Sequence, residues 1–554
     1  MHTSQGSYTL FSKKTSQFVS ETTSLHRRMG VHWVFSDIRL ALAMLLLSVV
    51  LKIVYSMWIL PNITYLKIKR NGLSGPSPRF PLGNITDMVA HSNKTDDPSS
   101  SSFDNNIMSH HIHSKVFPYF AQWQQSHGKV FVYWLGTEPF LYIADPEFLK
   151  QMSSAIKGKS WGKPSVFRND RKPMFGTYGL TMVEGDDWVR HRSVLTPAFS
   201  LPNIKTLRNL MVTVTNEMLD RWTSIIKSGQ QELDIESEIS STMGMIVAKT
   251  TFGMKYQNGK EVLQKLREMH QVLYTSNRYV GVPFSQFLSR RMYLKAKSLG
   301  DEIDAHFVTI INDRIKLKQS GRLGSTADDD LEKNLLDLML AGHDNTKALT
   351  TKELVDECKT FFVGGHETSA LALTWTLFLL AMHPEWQNQL REEIREVVGD
   401  EQVDVAMLGG LKKMNWVMSE ALRLYPSAPN AQRQAKSDIH VGEVVIAKGT
   451  NIWIDLVAMH HDSSLWGDTA NEFRPERFET DLYGGCKHKM GYAPFGFGGR
   501  MCIGRNLAVM EYRILLCLIL TRFSFSLSPC YSHSPAIMFS LRPSKGMLLM
   551  LQPV

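Results

Sequence analysis

One stretch of this sequence carries unusual chemistry: Phe495-Gly496-Phe497-Gly498-Gly499-Arg500-Met501-Cys502-Ile503-Gly504. Its four glycines let backbone pass close to a flat partner and leave amide N–H groups directed at the cysteine sulfur. An apolar helix is predicted from 505 to 520. Cys502 would then stand at the positive end of its macrodipole, where a thiol pKa falls and thiolate is favoured. Arg500 could pair with an acidic group. A thiolate so held suits an axial ligand to haem iron, whose electron donation promotes O–O cleavage. Taken alone, the stretch also reads as a glycine-rich turn with an incidental buried cysteine.

Three further constellations carry charge or protons. Glu420-Ala421-Leu422-Arg423 lies in a predicted helix, and residues three apart share a face, so carboxylate and guanidinium can pair. By itself this is an ordinary surface pair. A long apolar helix is predicted over about 351–382, opened by a capping box at Thr350 and Glu353. Midway along it stand Gly364-Gly365-His366-Glu367-Thr368-Ser369. Mid-helix glycines cost about 1 kcal/mol each, so a pair of them suggests close approach by a ligand or a local opening. The adjacent acid and alcohol could pass protons. A near-copy at 341–346 reads as a decoy, because Asn345 separates its acid from Thr346 and its flanks are polar. Trp188 and Arg192, four apart, could donate together to a carboxylate, or be a half-buried ring beside an exposed cation. His110, His111 and His113 could hold a metal, yet nothing nearby completes a ligand set.

The elements positioning these residues are mostly helical. Alternation over about 117–145 predicts a short hairpin sheet; helical periods dominate to about 430, strand-like and turn-rich pieces follow to about 500, and a last helix covers 504–521. The fold class is therefore mainly α with smaller β-sheets (α+β), and no internal repeat interrupts it. Residues 1–37 are Ser/Thr-rich with scattered cations and read as a poorly ordered extension, a transit-like leader or an over-extended gene start upstream of Met29. Residues 38–60 are expected as a transmembrane anchor, because the 21 residues of 40–60 hold a single charge, Lys52, and span about 30 Å. A Pro/Gly hinge is expected over 61–83, an exposed loop over 91–106, and the catalytic body over 84–554. Asn62, Asn84 and Asn93 are sequons that matter only in a lumen.

The glycine–cysteine segment resembles the haem-binding loop of the cytochrome P-450 superfamily, the haem-thiolate monooxygenases. The resemblance extends from about residue 60 onward. It implies that Cys502 is the proximal ligand of haem b, with Phe495, Arg500 and Gly504 in the cofactor loop and Ala508 and Glu511 in the following helix. It implies that Glu420 and Arg423 join Arg477 of Pro475-Glu476-Arg477-Phe478 in a buried structural ion network. Glu367 and Thr368 hold the positions of the acid–alcohol pair that delivers protons to dioxygen, with Gly364 where the family usually has Ala. Trp188 and Arg192 hold positions facing a haem propionate, and Arg433 and Arg500 are further propionate partners. Finer matches, such as FFVGGHETSALALTWTLFLLAMHPEW, are similar to the plant group called clan 72, whose members hydroxylate cytokinins, gibberellins, brassinosteroids, fatty acids and terpenoids.

What the resemblance implies is insertion of one atom of O2 into a C–H bond of a small hydrophobic substrate, the electrons coming from NADPH through a separate NADPH–cytochrome reductase. This chain has no dinucleotide fingerprint of its own. Lys412, Lys413, Lys487 and Lys489 are candidates for meeting that partner's acidic surface. Substrate contacts are expected from Phe175–Tyr178, Phe361, Phe362, Ser427–Ala431 and Met538–Ser540, which are mostly apolar. The expected setting is the endoplasmic reticulum membrane, single-pass, with lipid around the anchor and the catalytic domain cytosolic. Five cysteines, odd in number and all C-terminal, exclude a disulfide framework. A net charge of +9 without a Lys/Arg run speaks against nucleic acid. Two rivals stay open: an isomerase or dehydratase on the same scaffold, needing no O2, and a non-catalytic membrane interaction protein, which would bind no haem.

Overall fold

A computed structural model describes residues 38–79, 81–95, 110–154, 161–253, 256–276, 281–282, 289–320, 334–341, 348–399, 401 and 403–554. The chain falls into two units, Met1–Thr64 and Tyr65–Val554. Among the described residues one helix, Ile38–Arg70, is long and apolar enough to cross a membrane, and none of its apolar window is buried. The helix continues past Pro61 to Arg70. The expected hinge over 61–83 therefore begins as helix, and irregular backbone starts only at Asn71. Pro61 is tolerated because a π-helical turn, Tyr55–Ile59, precedes it and absorbs the missing N–H. The 1–37 extension lies outside the described residues.

Two further expectations give way. Ile85–Thr95 is helical, so the exposed loop over 91–106 does not begin at 91. Only the second half of 117–145 is hairpin, because Pro118–His127 is a helix with proline in its first turn. Its buried Phe120 and Trp123 are three apart and share a helical face. Asn84 is buried, accepting from the Trp134 amide at 2.9 Å and donating to the Ser77 carbonyl at 3.0 Å. That sequon is closed to glycosylation in the folded chain.

The strands are β1 (Val130–Leu135), β2 (Glu138–Ile143), β3 (Trp161–Gly162), β4 (Glu232–Asp234), β5 (Asn430–Ala435), β6 (Ile439–Val441), β7 (Val444–Ile446), β8 (Asn451–Asp455), β9 (Phe523–Leu527), β10 (Pro535–Ile537), β11 (Leu541–Pro543) and β12 (Leu548–Pro553). The largest sheet is ordered β1-β2-β8-β5-β3, with β2 and β8 parallel and Phe140 opposite Asn451. Three smaller sheets pair β4-β12-β9, β6-β7 and β10-β11.

Helices that position the site are α1 (Ser165–Phe175), α2 (Gly185–Leu195), α3 (Ile235–Phe252), α4 (Tyr256–Ser276), α5 (Thr351–Met382), α6 (Lys412–Leu424) and α7 (Arg505–Arg522). The body is mainly helical, with the sheets as smaller attachments. The central member is α5. Thr350 accepts from the Glu353 amide and Glu353 accepts from the Thr350 amide at 2.7 Å, which closes the capping box. Most of its residues are buried around the whole circumference, as a helix apolar on every side requires. Along its buried middle, Gly364 alone is exposed.

Candidate active site

The cysteine loop is shaped by its glycines. Gly496 and Gly498 adopt φ of +74° and +61°, a region that disfavours side chains, and the turn brings the Cys502 amide to the Phe495 carbonyl at 2.9 Å. Helix α7 starts at Arg505 with Gly504 as its N-cap, and the Arg505 guanidinium lies 5.7 Å from the Phe495 ring centre. A Cβ built on Gly504 would stand 4.0 Å from both Cys502 Sγ and the ring of Phe199, whose ring in turn packs on Phe361 of α5 at 5.1 Å.

Solvent reaches the Cys502 side chain, yet protein surrounds it closely. Here the structure departs from the expected acidic thiol. Burial pushes the Cys502 pKa up, and this outweighs the opposing backbone amides of Gly504 and Arg505 and the charges of Arg192 and Arg505. Without a metal, the helix terminus is too small an effect to hold a thiolate.

Four cations gather beside this loop. Arg500 donates to the carbonyls of Trp161 at 2.9 Å and Val183 at 3.2 Å, and stacks 4.5 Å from the centre of the Trp188 ring. Its Nε is buried without a partner. Arg192 reaches the Met501 carbonyl at 2.9 Å, and Arg433 donates to the Gln432 carbonyl at 2.9 Å. Burial lowers the pKa of Arg433 to about 10; burial and Arg433 together bring Arg500 to about 9. Lys163, missed by the sequence reading, is depressed by burial and then by Arg171, Arg433 and Arg500. Such crowding of like charge, only partly offset by Glu184 near Arg500, beside an unpartnered donor fits a dianionic group. A porphyrin bearing two propionates, with Cys502 offering sulfur, meets that demand.

An exposed notch interrupts the buried middle of α5. A Cβ on Gly364 would meet nothing within 4 Å, and the half-exposed Thr368 donates its hydroxyl to the Gly364 carbonyl at 2.6 Å. Glu367, one residue back, turns elsewhere and is buried. Its carboxylate binds the Ser540 hydroxyl, approaches Arg542 at 3.4 Å, and meets His270 Nδ1 of α4 at 3.2 Å. Arg542 also lies 3.4 Å from Glu236. Acid and alcohol are thus sequence neighbours with different surroundings. His270 and Arg542 had no local signal, and Ser540, expected among the substrate contacts, was not linked to Glu367 by sequence.

The other expected residues fall as follows. Glu420 takes Arg423 Nε at 2.7 Å and Nη2 at 2.8 Å, the Arg474 amide at 2.9 Å and Arg477 Nε at 3.3 Å. Arg423 is completed by the carbonyls of His460, Ala470 and Glu472. Asp356 of α5 accepts the Thr177 and Tyr178 amides, each at 2.8 Å, tying the segment after Phe175 to that helix. Phe362, expected to touch substrate, is instead wholly buried between Phe252 and Phe307. Buried Glu511 accepts from Ser369 at 3.1 Å and is pushed up to about 8, so it is protonated at neutral pH. His110 bonds the Tyr425 hydroxyl at 2.8 Å, and His113 bonds Asp455 at 3.0 Å; the two rings go to separate partners. The 341–346 near-copy falls largely outside the described residues.

A family model described as Cytochrome P450 matches residues 102–550. A cytokinin hydroxylase of Arabidopsis thaliana is 35% identical over 522 residues, covering 92% of this chain and 97% of the relative. Cytochrome P450 709B3 of Arabidopsis thaliana is 34% identical, covering 94% and 99%. Cytochrome P450 CYP72A219 of Panax ginseng is 30% identical, covering 89% and 94%.

Proposed function

The chain belongs to the cytochrome P450 family, and from that premise we propose that it is a membrane-anchored monooxygenase that hydroxylates a mainly hydrophobic small molecule of the hormone, fatty-acid or terpenoid class. The observation that carries this reading is an exposed Cys502 beside Arg192, Arg433 and Arg500, whose guanidiniums hydrogen-bond only backbone carbonyls among the described residues. The cofactor is haem b, held by Cys502 at the metal and by Trp188, Arg192, Arg433 and Arg500 at its carboxylates, with Phe495 and Gly504 lining the loop. Bound there, it supplies activation of O2 and transfer of one oxygen atom to carbon; the second leaves as water, with electrons from NADPH through a reductase.

The protein's own part is positional. Thr368 presents its hydroxyl at the notch, anchored on the Gly364 carbonyl. Glu367 holds a proton-exchanging carboxylate behind it, connected inward through Ser540, His270 and Arg542. Apolar Phe361 and Phe199 keep water from that side. Glu420, Arg423 and Arg477 fix the fold and take no part in proton transfer. Relatives named as cytokinin hydroxylases support hydroxylation as the reaction. The setting we assign is the endoplasmic reticulum membrane, crossed once by 38–60, with 84–554 in the cytosol.

The test is spectroscopic. Purified ferrous protein with carbon monoxide should give the red-shifted Soret band of thiolate ligation, and Cys502→Ser should abolish it. A wild-type spectrum lacking that band refutes the enzyme reading; an unchanged spectrum in the variant refutes Cys502 as ligand.

A further inference from the structure

A second buried cation stands apart from the propionate cradle. Arg171 of α1 is partly reached by solvent, yet protein closes around it so fully that burial lowers its basicity. Its polar partner is Gln432 Oε1 at 3.1 Å; otherwise its guanidinium faces aromatic rings, Phe167 at 4.8 Å and Phe539 at 5.3 Å. Phe539 also packs on Phe175 at 5.7 Å and on His270 at 5.6 Å. The next residue, Ser540, holds Glu367. One aromatic ring thus joins the guanidinium to the acid of α5.

No carboxylate among the described residues forms an ion pair with Arg171. Asp170, its neighbour in sequence, is raised by burial to a pKa of about 6 against the opposing charge of Arg171, and its Oδ2 has no hydrogen-bond partner. Lys163 and His270 both feel Arg171 as a like charge. A guanidinium is a fork of five donors that remains charged in any protein setting. Without a hydrogen-bonded carboxylate among phenylalanines it is costly, and a carboxylate is the group whose geometry it matches. Apolar surroundings with one such donor set suit a molecule with an apolar body and an acidic end.

Building on the monooxygenase reading, we propose that Arg171, with Gln432 orienting it, receives a carboxylate of the substrate, so that the enzyme acts on lipophilic acids. The alternative source of the same chemistry is a haem propionate. Arg192, Arg433 and Arg500 already gather at the cysteine loop, whereas Arg171 lies among the rings of Phe167 and Phe539.

The experiment uses the full-length holoprotein in detergent, its haem ligation checked first by the ferrous–carbon monoxide spectrum. Binding is measured calorimetrically for two pairs: dodecanoic acid with methyl dodecanoate, and abietic acid with its methyl ester. At least one acid should bind about tenfold or more tighter than its ester, the range for hydrogen bonds to charged groups. Arg171→Gln should bring that ratio close to one by weakening the acid, and Arg171→Lys should retain part of it. Equal binding of acid and ester, no binding of either acid, or a preference that survives Arg171→Gln overturns the proposal. So does haem loss in Arg171→Gln without acid preference in the wild type, the propionate outcome. If Arg171→Gln does not fold, the wild-type ratio and Arg171→Lys decide. A missing thiolate band defeats the monooxygenase reading instead, so the two failures are distinct.

Discussion

Replacing Glu420 by Gln should be the most damaging isosteric change in the body of the protein. The Glu420 and Arg423 side chains are both 0% exposed, while Arg477 keeps 12% of its side chain in solvent. One negative charge there faces two guanidiniums. Removing it leaves Arg423 with carbonyl acceptors only and puts two buried cations against each other, a change that typically costs about 3–5 kcal/mol. Stabilities of 5–15 kcal/mol are usual, so this is a large fraction of the total. Arg477→Met is the internal comparison. It leaves the Glu420–Arg423 pair matched and gives up a 3.3 Å bond to Glu420 and bonds to the carbonyl and, at 2.7 Å, the hydroxyl of Thr469 in a partly exposed setting, about 1.5–3 kcal/mol. Urea unfolding of the full chain in detergent, followed by far-ultraviolet circular dichroism, reports both. The reasoning fails if Glu420→Gln costs under about 1 kcal/mol, the scale of an ordinary hydrogen bond, or if Arg477→Met is the worse of the two.

Asp356→Ala removes the acceptor of the Thr177 and Tyr178 amides, each bonded at 2.8 Å. Amide exchange at those two positions should quicken by roughly 10–100-fold, matching about 1–3 kcal/mol per unsatisfied group; unaltered protection would exclude Asp356 as the anchor of that segment. Glu511→Gln addresses pH. A carboxyl held near 8 in the folded chain keeps a proton that the unfolded chain releases near 4.3, so its stabilising contribution is full below that value and is lost as pH rises through 8. The glutamine cannot titrate. Its stability relative to wild type should therefore rise steadily between pH 5 and 8, and a constant difference across that window would contradict a neutral Glu511.

Local spacing carried most of what was legible. Glu420 and Arg423 are one helical turn apart, and the glycines around Cys502 dictate their own turn, so both constellations could be read from adjacent letters. Glu367 shows the opposite case. Its position was readable, but Ser540 and Arg542 are 173 and 175 residues away, and no periodicity links them. Arg171 shows no motif at all; its isolation exists only once Phe167 and Phe539 have closed over it. The helix Pro118–His127 was misread because aromatic residues suit both strands and amphipathic helices. At Cys502 the sequence shows the helix terminus and conceals the burial that opposes it in the metal-free chain.

The pairing of β2 with β8 has a consequence for biosynthesis. Tyr142 donates to Asp455 at 2.9 Å across 313 residues of chain. At 5–20 residues per second, a ribosome needs roughly 15–60 s to make that intervening stretch. During that interval the early hairpin β1–β2 has one edge uncovered, a surface prone to unwanted strand pairing. Nascent chains of this protein must therefore be shielded until translation is more than four-fifths complete, and truncations just short of 451–455 should aggregate even though they lack only the last hundred or so residues.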